Sequence, residues 1–120
     1  MGGKIYYRKL IRDHIPEKIA AAGARCEVRT LAGDEYEYAL LRKVEEGASG
    51  VAGATSRAIL VDELADVLAV IEEIRNLKNI SDEELEAAYR KGMEKKGGFQ
   101  KRLFLEWSSA DGYTTNEKKG

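Results

Sequence analysis

The most regular pattern in the chain runs from Thr55 to Lys78, where Leu60, Leu64, Val67, Ile71 and Ile74 recur at helical spacing. This predicts a long amphipathic helix with one stripe against a core. Glu63, Asp66 and Glu73 fall on the neighbouring stripe, with Val70 between them. Upstream, Leu40, Val44, Ala48 and Val51 predict a second helix, entered at Asp34, a good N-cap residue type. Its second half carries Gly47, Gly50 and Gly53, and each glycine inside a helix costs up to ~1 kcal/mol relative to alanine. Either that helix stops near Glu46, or the glycines sit where another backbone or a ligand comes close. A short helix over 16–22 is opened by Pro16 and closed by Gly23. Ser81-Asp82-Glu83-Glu84 has the form of a capping box for a last helix that stops at Gly97-Gly98.

Two stretches carry a different period. Residues 25–31, RCEVRTL, alternate Cys26, Val28 and Thr30 with charged neighbours, and residues 99–107, FQKRLFLEW, alternate Leu103, Leu105 and Trp107. Both predict short strands, which would most simply pair with each other because an isolated strand leaves its backbone unpaired. The expected fold is therefore mainly α: a helical bundle of about four helices with a small two-stranded β element. It forms one domain over 1–107, followed by a polar tail, 108–120, expected to be disordered.

Composition narrows the chemistry. The chain has 120 residues, 34% charged and 43% hydrophobic, enough for one modest core. A net charge of -1 gives no bulk support for nucleic-acid binding, leaving only the local Lys95 to Arg102 cluster as a poor candidate. No apolar run approaches a membrane span, and MGGKIYYRKL lacks a signal-peptide core. Cys26 and His14 are each the sole residue of their type, which removes intrachain disulfides, thiolate-rich zinc sites and most histidine-based triads. A reducing, cytoplasmic setting fits. Carboxylates, lysines, arginines and a metal remain. Glu63 and Asp66, at i and i+3, project hard oxygen ligands in one direction, which is half of a Mg²⁺ site. An acidic flank is equally the solvated edge of an amphipathic helix.

Taken together, four strings carry a resemblance. Lys9-Leu10-Ile11-Arg12-Asp13-His14-Ile15-Pro16, residues 34–41, Glu63-Leu64-Ala65-Asp66-Val67 and Lys96-Gly97-Gly98-Phe99 resemble, in order and spacing, the all-α nucleoside triphosphate pyrophosphohydrolases. The branch they are most similar to is the phosphoribosyl-ATP pyrophosphohydrolase-like and MazG-like one, over about residues 6–105. The resemblance implies a helical, oligomeric protein, a homodimer or higher, that binds Mg²⁺, with Mn²⁺ as a substitute, through carboxylates on two helices. The implied reaction splits a nucleoside triphosphate into monophosphate and pyrophosphate. Glu46, Glu63 and Asp66 would be the metal ligands, with Glu46 and Glu63 catalytic, and Lys9, Arg12, Lys95 and Lys96 would hold phosphates. The chemistry is coherent: a metal neutralises the phosphate chain and acidifies a bound water, and a carboxylate serves as base.

The family's first acidic motif, Glu-Glu-x-x-Glu, is depleted here. Setting Leu40, Val44, Ala48 and Val51 on the core stripe aligns that motif with Glu46-Gly47-Ala48-Ser49-Gly50, so only Glu46 remains of its three acids. Shifting one residue back retains Glu45 and Glu46 but turns Lys43 and Gly47 toward the core. Either way a divalent ion would be weakly held, because carboxylate charge is what holds Mg²⁺ against its hydration. Two functions are thus expected to compete: a metal-dependent pyrophosphohydrolase, and a catalytically decayed member of the same fold retained for nucleotide binding or assembly.

Overall fold

The computed structural model describes residues 2–115. They form four helices, α1 (Ile15–Ala21), α2 (Gly33–Ala52), α3 (Arg57–Lys78) and α4 (Asp82–Lys96). The chain divides into two compact units, one ending at Ser81 and the other beginning at Asp82. No described helix is long and apolar enough to cross a membrane.

The first unit is built on an antiparallel hairpin of α2 and α3, the helices that pack on each other. Tyr36 reaches Glu73, Glu37 pairs with Lys78, Gly47 meets Val67, and Gly50 meets Glu63, so contacts run in opposite senses along the two helices. Gly53 ends α2, and Ser56 caps α3 with a side chain that accepts a 3.1 Å hydrogen bond from the Ile59 amide. At the other end of α3, Asn79 turns left-handed at φ 55°, and the Ile80 amide donates back to the Arg75 carbonyl. The same closure ends α1: Gly23 has φ 79°, and the Gly23 and Ala24 amides donate to Ala20 and Ile19. Ile15, Pro16 and Ile19 are half-buried, as a helix of this length requires.

The face α3 turns toward α2 differs from the one the spacing predicts. Glu63, Val67, Val70, Ile74 and Arg75 are the half-buried positions, while Leu60, Leu64 and Ile71 are exposed. On α2 the half-buried positions include Tyr36, Lys43, Val44, Gly47, Gly50 and Val51, with Leu40 buried and Ala48 exposed. The inner stripe is therefore rotated toward the glycines. Bulky leucines mark apolar surface but do not say which neighbour covers it, and glycine allows the closest approach of two backbones. α2 also starts two residues earlier than expected, at Gly33. Ala32 stands at the N-cap without a side-chain bond, and Asp34 lies in the first turn, where its charge suits the helix dipole.

In the second unit, α4 carries Asp82, Glu83 and Glu84 in its first turn and Lys95 and Lys96 in its last. It stops at Gly97, at φ 77°, whose amide donates to the Met93 carbonyl. The expected two-stranded β element is absent: among the described residues there is no strand. Alternation implies a strand only if one face is covered, and here it is not. Val28 is 57% exposed, and Leu103, Leu105 and Trp107 are all exposed. Residues 25–31 are held instead by a side chain, as both Arg29 guanidinium nitrogens donate to the Glu35 carboxylate at 3.0 and 2.5 Å. The last part of the expected disordered tail, residues 116–120, lies outside the described residues.

Candidate functional site

The acidic residues singled out from the sequence lie on the α2–α3 hairpin, and the segment preceding α1 runs against it. Lys9 Nζ is 2.5 Å from Glu46 Oε1, and Lys43 Nζ, one helical turn from Glu46, is 2.5 Å from Glu46 Oε2. Each oxygen of one carboxylate thus accepts from its own lysine. Arg12 Nη1 donates to Asp66 Oδ1 at 2.8 Å. Lys9 also lies 5.5 Å from the centre of the Tyr7 ring, within cation–π range. Burial pushes the Glu46 carboxyl up, but the bonds from Lys43 and Lys9 outweigh it and hold it below the ordinary glutamate value of 4.5.

Glu63, the third expected ligand, lies over Gly50. Its carboxylate occupies the space a Cβ at position 50 would need. Position 47 is equally tight: a Cβ there would come within 2.8 Å of Val67 Cγ2. Both glycines sit inside a continuous helix, so α2 does not stop at Glu46, and the close approach anticipated for them is made by α3. Next to the Arg12–Asp66 pair opens a cleft of about 640 Å³ lined by Arg12, Asp13, His14, Ile15, Lys18 and Asp66. Burial, with the charge and hydrogen bond of Glu73 and the charge of Asp13, raises the Tyr36 phenol above its ordinary value of 10.0.

Of the expected site residues, Lys9 is brought to Glu46 and Arg12 to Asp66, each phosphate candidate to a metal-ligand candidate. Lys95 and Lys96 belong to the second unit, in the last turn of α4. Among the described residues, no three acidic, histidine or cysteine side chains are grouped so as to hold a metal ion. As arranged, the donor set does not fit a divalent cation. Glu46 and Asp66 already carry side-chain cations. The pairs are half-exposed and each adds only ~0–1 kcal/mol of stability. Their weight lies in charge: they neutralise the oxygens a metal needs. Sequence reasoning missed Lys43, although its i,i+3 spacing to Glu46 is a legible signal.

No family model matches the chain, and no solved structure matches it. An uncharacterized protein of Mycolicibacterium smegmatis is 43% identical to it over 49 residues, which are 41% of this chain. The matched stretch spans 50% of that relative's length.

Proposed function

We propose that this chain is a catalytically decayed relative of the all-α nucleoside triphosphate pyrophosphohydrolases, retained as a self-assembling module that binds nucleotides without turning them over. The observation that carries this reading is the packing of Gly47 and Gly50 against α3. In the register of the resemblance these positions would bear metal-binding carboxylates. Here position 47 has no space for a side chain and position 50 lies under Glu63. Gly50 facing Glu63 suits the register that begins at Glu46, whereas half-buried Lys43 and Gly47 suit the one that begins at Glu45, in which the third acid is replaced by Ser49; in either register the acidic motif is incomplete.

Without a metal, a phosphate chain must be met by cationic side chains. The cleft beside Asp66 is lined by Arg12, Lys18 and His14, and guanidinium is the side chain best suited to a phosphate. Asp66 lines the same cleft with its charge answered by Arg12. A second copy of the chain is the partner that best suits α3, whose Leu60, Val61, Leu64 and Leu68 are exposed along one side. A reducing, cytoplasmic setting suits the single exposed thiol of Cys26.

The test is a pair of measurements on the full chain. Calorimetric titration with a panel of nucleoside triphosphates in the absence of divalent metal is expected to show binding. Incubation of the same panel with Mg²⁺ or Mn²⁺ is expected to release no pyrophosphate. Metal-dependent release that is lost in Asp66→Ala would restore the hydrolase reading, and absence of nucleotide binding would remove the nucleotide role.

A further inference from the structure

The segment ahead of α1 touches both helices of the hairpin through opposite charges: Lys9 on Glu46 of α2 and Arg12 on Asp66 of α3. Between Tyr7 and Lys9 the backbone takes an uncommon turn. Arg8 is left-handed at φ 49°, a conformation residues other than glycine seldom adopt and keep only when their surroundings fix it. The turn places Arg8 over Tyr6 at 5.5 Å and Lys9 over Tyr7 at 5.5 Å, with Lys9 reaching on to Glu46. Lys43 completes the set from α2.

We infer that residues 6–12 form a cationic strap whose Lys9 and Arg12 stand in for a divalent cation on the acidic face of the hairpin. Strap and divalent ion are alternative occupants of the same carboxylates. Three side-chain cations meet two carboxylates, Lys9 and Lys43 on Glu46 and Arg12 on Asp66, so both of these acids carry a cationic partner with no ion bound. Mg²⁺ would have to shed its own waters and also displace an ammonium and a guanidinium from oxygens already in charge-assisted hydrogen bonds. This rests on the decayed-site reading above, but its tests contain no nucleotide, so either can fail while the other stands.

Two experiments on the full chain test it. The first follows tryptic cleavage after Arg8, Lys9 and Arg12 by mass spectrometry, normalised to an unstructured peptide, as salt rises from about 0.01 M to about 1 M. Across that range the screening length falls from about 30 Å to about 3 Å. A strap held by ion pairs at half-exposed sites is expected to be cut several-fold faster at high salt, whereas a rate indifferent to salt overturns the strap. The second titrates Mn²⁺ alone into the wild type and into the double variant Lys9→Gln/Arg12→Gln. The wild type is expected to bind no more tightly than the millimolar range, and the variant about tenfold more tightly, because removing the strap's charges frees ligand charge for the ion. Micromolar binding by the wild type, or no gain in the variant, overturns the inference. Both substituted residues are substantially exposed, so the variant should fold; the salt experiment needs no variant at all.

Discussion

The Glu63 carboxylate of α3 lies directly over Gly50 of α2, in the space a side chain at that position would enter. Gly47, one turn earlier, is covered by Val67 instead. The two glycines look alike in the sequence and have different neighbours: the end of a flexible side chain over one, a β-branched methyl over the other. A glutamate swings aside through three torsions, whereas a valine has one strongly preferred rotamer in a helix.

Alanine should therefore act with opposite sign at the two positions. Gly50→Ala gains helix propensity, and Glu63 can move into solvent, so the variant should be more stable by about 0.5–1 kcal/mol. Gly47→Ala gains the same propensity but pushes against Val67, where overpacking typically costs ~1–3 kcal/mol, giving a net loss of about 1 kcal/mol. Urea unfolding of the two variants reads the difference. Adding Val67→Ala to Gly47→Ala should recover the part of the loss due to the clash. If both alanines shift the midpoint in the same direction, the packing described for this hairpin is wrong.

A second expectation concerns acid. Glu46 titrates below its ordinary value of 4.5 because the bonds from Lys43 and Lys9 overcome the upward push of burial. A carboxyl depressed on folding contributes stability that is present above its unfolded pKa and is lost as pH falls through its folded pKa. The contribution should thus be complete at neutral pH and disappear below about 4.5. Carbon-detected NMR titration of the Glu46 carboxyl is the direct measurement. Lys43→Met should move its midpoint up, and Lys9→Met should move it up in addition; a midpoint unmoved by either would mean the lysines are not bonded to Glu46 in solution.

Much of the helical layout was legible because its signals are local. Pro16 and Gly23 bound α1, Lys78 and Asn79 end α3, and Gly97 stops α4, each through residue-specific backbone preference. The strands were not there to be read: residues 25–31 and 99–107 alternate, yet alternation says nothing about whether anything covers Val28 or Leu103. The inner face of α3 was misjudged for a related reason. Leu60, Leu64 and Ile71 outweigh Val70 and Glu63 in hydrophobicity, but the partner's glycines decide which side approaches. The sequence singles out the acids Glu46, Glu63 and Asp66, which the structure does not gather into one cluster among the described residues. The pairing of Glu46 and Asp66 with cations was not legible, because Lys9 lies 37 residues from Glu46 and Arg12 lies 54 from Asp66.

The turn into α3 yields a simpler prediction. Ser56 adopts an extended backbone and its hydroxyl accepts from the Ile59 amide, one of the donors that a helix start leaves without an intrahelical partner. Ser56→Ala removes that acceptor and should lower stability by about 1 kcal/mol, while Ser56→Asp should retain it. Thermal unfolding of both variants checks this. Equal losses in alanine and aspartate would show that the cap is not formed.

The exposed side of α3 leads to the last prediction. Leu40 is the single buried hydrophobic side chain among the described residues, whereas Leu64 and Leu68, one turn apart on α3, are 47% and 66% exposed. Each large side chain taken from water contributes roughly 1.5–3 kcal/mol, so a second copy covering this side could add more than the hairpin's own core supplies. Light scattering after size exclusion should return about twice the 13.3 kDa of one chain. Leu64→Glu/Leu68→Glu places two charges where that partner would sit, and burying unpaired charge is costly enough to disfavour the pairing. The variant should elute as a monomer with reduced helicity and a lower unfolding temperature that no longer depends on protein concentration. A wild type that is already monomeric at micromolar concentration, with an unfolding temperature independent of concentration, would leave α3 without a second copy to cover it.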